Sequence, residues 1–228
     1  MGGLPVSTKF EAVLRNATPN DVERIVAFLI SNPSPNIKLR RTEAYEASVA
    51  NDVFYVLEVD EQLIAVAGVF PIVEDSSDYE LGSLYLVESY RGFGIQELMM
   101  PLGIAATLIF DSEAIIYAGV RNGPLAESSR RNIKAAGFEP LVDKDDPLFE
   151  STCPSCDSRP ESGDSCCGTF YVLPRDRYCD HIRKLLLGGD VVYRRRNGAE
   201  LRIEIKAQVL ANPKRAILKA ECSPDPAG

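Results

Sequence analysis

The sequence predicts an α+β fold in which antiparallel strands and helix-linked strands share one sheet. Two apolar strands, Val53 to Val59 and Leu63 to Ile72, are separated by only three residues, and so short a link predicts an antiparallel hairpin. The next strand, Glu80 to Val87, instead enters a glycine turn that opens into an apolar helix from about Phe93 to Phe110. These two connections together predict a mixed sheet flanked by helices.

The N-terminal part supplies one strand and two helices. A strand is predicted from Phe10 to Arg15, and Thr18 and Pro19 then fit the N-cap and the first position of a helix. Apolar residues continue that helix at helical spacing: Val22, Ile25, Val26 and Leu29. The Pro-rich stretch from Asn32 to Asn36 ends it, and a more polar helix is predicted from Leu39 to Ala50.

The C-terminal part continues the alternation. A strand (Ala114 to Val120), a helix (Leu125 to Ala136) and a short strand (Phe138 to Val142) come before a Cys- and Ser-rich interruption, after which a strand resumes at Thr169 to Leu173. The last elements are a helix from Asp176 to Leu187 and two strands, Val191 to Arg196 and Leu201 to Gln208, around an Asn-Gly pair. Asn-Gly is the strongest short signal for a hairpin turn.

Charge and hydropathy exclude some classes of protein. The chain has 228 residues, a formal net charge of −8 and a pI of about 4.9, which argues against nonspecific binding to nucleic acid. No apolar run approaches the roughly 18 residues that cross a bilayer. Met1 to Thr8 do not resemble a signal peptide, so we expect a cytoplasmic protein without a membrane partner.

The glycine turn is suited to binding an anion. Gly92 and Gly94 have no Cβ atoms, so a ligand can approach the main chain closely. The N–H groups from about Phe93 to Gln96 would point out of the helix N-terminus, where the helix dipole favours negative charge, and Arg91 adds a positive charge. The turn therefore predicts a phosphate-bearing cofactor; the alternative is a glycine-rich turn without a ligand.

Three stretches around this turn and its neighbours carry a family resemblance. They are Leu86-Val87-Glu88-Ser89-Tyr90-Arg91-Gly92-Phe93-Gly94-Ile95-Gln96, Arg15-Asn16-Ala17-Thr18-Pro19-Asn20-Asp21, and Asn132-Ile133-Lys134-Ala135-Ala136-Gly137-Phe138. In these stretches and in its order of elements, the chain resembles the GNAT superfamily of acyl-CoA-dependent N-acyltransferases. The resemblance implies a GNAT-like domain at 9–175, whose central sheet is mixed and mostly antiparallel. It leaves a Cys-rich insertion at 150–168 and an extension at 176–228 with a helix, a β-hairpin and a tail predicted to be disordered.

The resemblance also implies a reaction and the residues that serve it. A small-molecule or peptide amine would attack the thioester of an acyl-CoA, most simply acetyl-CoA. Residues of the turn would bind the pyrophosphate of CoA: Arg91, Gly92, Phe93, Gly94, Ile95 and Gln96. The main-chain N–H of Leu86 or Val87 would polarise the thioester carbonyl, and Glu80 on the same strand would take the amine proton, often through water.

Two departures favour an alternative, a GNAT-like module that binds CoA or a partner without catalysis. Gln96 replaces the small residue that ends the family motif, and Ile133 replaces the tyrosine that often protonates the leaving thiolate. Other candidates for that acid are Tyr117, Ser128 and Ser129. Without a β-bulge, strict alternation would place Glu80, Gly82, Leu84 and Leu86 on one face of the strand.

The Cys-rich insertion predicts either a structural zinc site or a disulfide, and reduced cysteines are the third alternative. Cys153 and Cys156 have the spacing of a zinc knuckle, and Cys166 and Cys167 complete a set of four thiolates. Cys179 or His181 could replace one of the adjacent pair. The competing disulfide would join Cys156 to Cys166 or Cys167, although the absence of a signal peptide favours metal.

The extension contains the most basic run of the chain, Tyr193-Arg194-Arg195-Arg196. In an acidic protein this run could bind nucleic acid, an acidic partner or the CoA phosphate of a neighbouring subunit in a homodimer. A solvated hairpin edge that charge protects from aggregation is the simpler interpretation.

Overall fold

The computed structural model describes residues 8–34, 37, 39–72, 76–121, 126–141, 168–185, 190–209 and 215–216. The described strands belong to one sheet and are Lys9–Asn16 (β1), Phe54–Val59 (β2), Gln62–Pro71 (β3), Asp78–Leu86 (β4), Ile115–Arg121 (β5), Glu139–Pro140 (β6), Gly168–Leu173 (β7), Val191–Arg194 (β8) and Glu200–Ile205 (β9). The described α-helices are Val22–Ser31 (α1), Thr42–Ala50 (α2), Gln96–Phe110 (α3), Glu127–Ala135 (α4) and Tyr178–Leu185 (α5). Val142, the 150–167 part of the Cys-rich insertion and the tail from Ser223 lie outside the described residues.

The strand order across the sheet is β6-β7-β5-β4-β3-β2-β1-β9-β8. Neighbouring strands are antiparallel except for two parallel pairs, β4 with β5 and β1 with β9. A parallel pair needs a crossover connection, and α3 provides it between β4 and β5. The predicted α+β fold with a mixed, mostly antiparallel sheet is confirmed.

Helices cover both faces of the sheet. On one face, α1 and α2 pack on an aromatic cluster in which Tyr45, Phe54 and Phe70 meet edge to face. On the other face, α3 is buried from Leu98 to Leu108, and α5 packs beside it. A helix that is apolar on all sides must be surrounded by other elements, which is why α3 lies between the sheet and α5.

The C-terminal extension is part of the same core. Strand β9 pairs in parallel with β1, from Lys9 opposite Glu200 to Leu14 opposite Ile205, and its inward residues Leu201 and Ile203 are fully buried. The buried Tyr178 hydroxyl on α5 bonds to the backbone of Ala114 and Ile116. A separate unit beginning at 176 stays a prediction, but the described extension completes the sheet rather than standing apart from it.

Several element boundaries differ from prediction, for identifiable reasons. Helix α3 begins at Gln96 rather than near Phe93, because Gly94 has a φ of 84°, which no right-handed helix accommodates. The Thr18-Pro19 cap opens a 3-10 turn, Pro19–Asp21, before α1 begins. Strand β8 ends at Arg194 instead of Arg196, where the chain turns toward β9.

A charge network fixes the junction between β1 and α1. Asp21 is 5% exposed and accepts two hydrogen bonds from Arg15, at 2.7 and 2.8 Å. Arg15 also donates to Glu58 on β2. The hydrogen bonds from Arg15 hold the pKa of Asp21 well below its usual range, although burial acts in the opposite direction.

We expect Asp21→Asn to lower the free energy of unfolding by about 2 kcal/mol at neutral pH, because it leaves Arg15 without its main partner. Since the pKa of Asp21 is lowered in the folded state, its contribution is complete above the unfolded-state pKa of about 4 and is lost as the pH falls below it. Denaturant unfolding at pH 7 and pH 3 should therefore show a smaller difference for the variant than for the wild type.

The matched control is Glu200→Gln, which removes the partner of the 74%-exposed Arg194. An exposed pair contributes under about 1 kcal/mol, so this variant should unfold almost like the wild type. Equal destabilisation by both substitutions would contradict the role assigned to Asp21.

Candidate functional site

The candidate site begins where β4 and β5 part. Their parallel ladder covers only Asp78 to Glu80 opposite Ile115 to Tyr117, yet β4 continues to Leu86 and β5 to Arg121. On their outer sides both strands stay fully paired, β4 with β3 and β5 with β7. A gap with an unpaired edge of β4 therefore opens beyond Glu80.

A β-bulge in β4 lies beside this gap. Val66 pairs with Tyr85 but Gly68 pairs with Gly82, so β4 has one residue more than β3 between these pairs. Ser83 in the bulge has a φ of 51°, and its buried hydroxyl has no hydrogen-bond partner among the described residues. A strained backbone and an unpaired buried hydroxyl are features that proteins tolerate mainly at functional sites.

Because of the bulge, the strict alternation of faces predicted for this strand is wrong beyond Gly82. Tyr85 packs with the aromatic cluster under α1 and α2, the same cluster that Gly82 meets at Phe70. Leu84 and Leu86 pack on the opposite, α3-side core. Glu80 and Gly82 therefore share a face with Tyr85, not with Leu84 and Leu86, because the extra residue reverses the alternation.

Of the two N–H groups proposed to polarise a carbonyl, only one is available for that role. The Val87 N–H donates to the Ile64 carbonyl oxygen at 2.9 Å and is therefore occupied. Leu86, opposite Ala65, takes the alternate position in this ladder, so its N–H faces the gap. Since the β4–β5 ladder stops at Glu80, no described strand accepts that N–H.

The glycine turn forms as the sequence predicts. Gly92 and Gly94 have φ angles of 86° and 84°, conformations that favour glycine. The Glu97 and Leu98 N–H groups bond back to Gly94 and Ile95, but those of residues 93–96 meet no acceptor within the described residues. Four consecutive N–H groups thus remain free at the positive end of α3.

The other side chains of the turn have distinct roles. Phe93 and Ile95 are buried at 3% and 1% exposure and anchor the turn in the core. Arg91 makes a long contact of 3.4 Å from its Nε to the Leu86 carbonyl, at the end of β4. Gln96 extends toward α4, where its Oε1 accepts a hydrogen bond from Asn132.

Glu80 lies at the last rung of the β4–β5 ladder and forms an ion pair with Arg40. The Arg40 guanidinium carbon lies 4.1 Å from the centre of the Phe70 ring. Two glycines leave room for this pair. A Cβ at Gly119 would meet Glu80 Oε1 at 2.8 Å, and one at Gly82 would meet Arg40 Nη2 at 3.2 Å.

Sequence reasoning missed Arg40, because it lies in an irregular stretch before α2 and pairs with a strand 40 residues away. The only local signal is the Arg-Arg doublet of residues 40 and 41. Ile133, at the position of the family's acid, packs on the core and offers no proton. Of the substitute acids, Tyr117 is buried on β5, while Ser128 is exposed and Ser129 half-exposed on α4.

The extension also reaches the turn, which the sequence did not predict. Carbons of the Tyr193 ring on β8 lie 3.7 Å from the position that a Cβ of Gly94 would occupy. The guanidinium of Arg195, just past β8, lies 4.1 Å over the Phe93 ring. The basic run of the extension is thus a neighbour of the glycine turn of its own chain.

The predicted metal ligands Cys153, Cys156, Cys166 and Cys167 lie outside the described residues. The described residues contain no group of three or more His, Cys, Asp or Glu placed to hold a metal. Cys179 is disulfide-bonded, and the buried His181 uses Nε2 to contact the Ala136 carbonyl at 2.7 Å. Burial lowers the pKa of His181, so it stays neutral in the core. Among the described helices, none is both long and apolar enough to cross a membrane.

No protein-family model matches this sequence, and no curated protein matches it. Solved structures do match its fold. N-acetylglutamate synthase from Neisseria gonorrhoeae, complexed with coenzyme A and N-acetyl-glutamate, matches with a TM-score of 0.52 at 16% identity over 71% of this chain and 34% of that chain. An acetyltransferase of the GNAT family from Streptococcus pneumoniae matches with a TM-score of 0.50 at 11% identity, over 72% of this chain and 99% of that chain.

At these identities the likeness concerns the fold, and it confirms the predicted GNAT fold. The match spans about a third of the length of the synthase. The roles of individual residues therefore depend on the geometry of this chain.

Proposed function

We propose that this chain is an acyl-CoA-dependent N-acyltransferase that transfers an acyl group, most simply acetyl, to an amine. The free N–H groups of residues 93–96, which β4 reaches after the intervening residues 87–92, carry this proposal together with the open edge of that strand. Such a row of donors at a helix N-terminus suits a diphosphate, and the gap beside β4 suits the amide-bearing arm of CoA. In support, the matched synthase from Neisseria gonorrhoeae is complexed with coenzyme A.

The reaction that we propose is a direct transfer. The amine nitrogen attacks the thioester carbonyl, the carbon–sulfur bond breaks, and the CoA thiolate leaves and takes up a proton. The Leu86 N–H, which faces the gap, donates to the carbonyl oxygen as negative charge develops on it. Holding the amine and the thioester together in the gap supplies much of the rate enhancement.

Glu80 is the proposed proton acceptor, and strand geometry constrains how it acts. The β3 partners of Glu80 and Leu86 are Phe70 and Ala65, which are five residues apart and therefore about 17 Å from each other. Glu80 cannot touch a carbonyl that is held at Leu86. We infer that the amine proton reaches Glu80 through water in the gap, while Arg40 fixes the orientation of its carboxylate.

A non-catalytic CoA-binding module is the second candidate, and two observations favour it. Ile133 cannot protonate the thiolate, and the ion pair with Arg40 occupies the carboxylate of Glu80. The two candidates share the cofactor but differ in turnover.

The proposal predicts stoichiometric binding of acetyl-CoA, measured by calorimetry, and release of CoA in the presence of a panel of small-molecule and peptide amines. Binding without turnover across the panel would favour the module. No binding at millimolar acetyl-CoA would exclude both candidates.

Gly94→Ala tests the turn. An L-residue with a φ of 84° is strained by about 1–2 kcal/mol and would shift the free N–H groups, so we expect the affinity for acetyl-CoA to fall at least tenfold. Gly137→Ala is the matched control, because Gly137 has a φ of 86° just after α4 and a Cβ there would have Arg177 rather than a residue of the turn within 4 Å. Both variants should lose similar thermal stability, but only the first should lose affinity. Equal affinities for the two variants would exclude the turn as the anion site.

Glu80→Gln tests the base. We expect kcat to fall by about 100-fold while the acetyl-CoA affinity stays unchanged. A raised KM for the amine with an unchanged kcat would instead assign the pair of Glu80 and Arg40 to acceptor binding.

A cytoplasmic location and a structural zinc ion at Cys153, Cys156, Cys166 and Cys167 stay predictions. The disulfide at Cys179 removes one proposed substitute ligand, and because a disulfide joins two cysteines, a zinc site of these four thiolates also requires that the partner of Cys179 is not one of them. Metal analysis of the purified wild type should then give one zinc per chain, and Cys153→Ser should lower it. Absence of zinc from the wild type would leave the oxidised or reduced cysteines as the alternatives.

A further inference from the structure

The end of β8 contributes a cation to the glycine turn. Arg195 donates from Nη2 to the Ser89 carbonyl oxygen, and its guanidinium carbon lies 4.1 Å from the centre of the buried Phe93 ring. Its Nε would lie 3.9 Å from a Cβ at Gly92. The guanidinium is therefore held against the backbone that precedes the free N–H groups.

We propose that Arg195 is a phosphate-binding residue, through which the C-terminal hairpin completes the diphosphate site of acyl-CoA. This inference rests on the proposed function and deepens it. The basic run of the extension would act at the glycine turn of its own chain, and the group that Arg195 binds would be the diphosphate.

Arg195 differs from the other arginines of the hairpin in its charge partners. Arg194 pairs with Glu200 and Arg202 with Asp190, both on the exposed surface. Arg195 has no carboxylate within salt-bridge distance among the described residues, and its Nε is buried without an acceptor. In a chain with a net charge of −8, a fixed guanidinium without a counter-charge is suited to an anionic ligand.

The contacts of Arg195 also fix its orientation in advance. The contact with Phe93 and the bond to Ser89 restrain the guanidinium, so less side-chain freedom remains to be lost on binding. Phe93 itself packs edge to face with Phe10 on β1. The ring over which the guanidinium lies is therefore itself fixed in the core.

A nearby acid is a further reason for a cation at the turn. The Glu97 carboxyl carbon lies 3.7 Å from the position of a Cβ at Gly94, within the first turn of α3. Burial and the charge of Glu97 together raise the pKa of Tyr193 to about 12, so this tyrosine stays neutral. Glu97 would repel a diphosphate at the turn, and the positive charge of Arg195 would offset that repulsion.

The test measures acetyl-CoA and dephospho-acetyl-CoA affinities by calorimetry on the full chain. Arg195→Ala and Arg195→Gln remove the charge, whereas Arg195→Lys keeps it without the planar fork. We expect the first two to weaken both ligands by tenfold to about 100-fold, and the lysine variant by less than about fivefold. Arg194→Ala, the matched control on the same hairpin, should bind within about twofold of the wild type.

Each contrary result has a distinct meaning. If the wild type does not bind acetyl-CoA, the proposed function fails and this inference fails with it. If the wild type binds and Arg195→Gln binds equally well, only this inference is overturned. A loss by the lysine variant without a loss by the glutamine variant would assign Arg195 to packing of the turn. A loss confined to acetyl-CoA would move the contact to the 3′-phosphate and overturn the diphosphate assignment.

Discussion

The parallel ladder between β4 and β5 stops at Glu80 and Tyr117, and the candidate site depends on that interruption. Buried backbone groups require partners, so two strands separate inside a sheet only when other contacts hold them apart. Here β3 holds β4 and β7 holds β5 along their outer edges. The gap is consequently a fixed feature of the sheet, and the Leu86 N–H faces an opening that a ligand with amide and carbonyl groups can fill.

The bulge at Ser83 gives the two halves of β4 different tasks. Below it, Glu80 and Gly82 face the side of α1 and α2, where Arg40 lies on Phe70. Above it, the edge of the strand leads to the glycine turn. One extra residue thus lets Glu80, which pairs with Arg40, and the backbone donor at Leu86 lie on one strand, about 17 Å apart, without a break in its pairing with β3. In the proposed reaction the same separation would require the amine proton to cross water on its way to Glu80.

The sequence predicted the features that local chemistry determines. Gly92 and Gly94 predict a turn with left-handed φ angles, and the apolar run after them predicts a helix buried on all sides. The bulge was not predictable, because serine is not a residue that typically marks a left-handed position, and strict alternation then gave the wrong face for Leu84. Arg40 and Arg195 were missed for a different reason. Their partners lie 40 and 106 residues away, and only the sheet brings them together.

Topology also decides what the basic run of the extension can do. Because β9 is parallel to β1, and β8 returns antiparallel, the end of β8 lies beside the beginning of β1. Three antiparallel steps, from β1 through β2 and β3, bring the end of β4 to the same end of the sheet. An antiparallel β1–β9 pair would have placed Tyr193 and Arg195 at the opposite end, far from Phe93. The pairing of one strand therefore makes the basic run a neighbour of the glycine turn, which no property of the hairpin sequence alone could achieve.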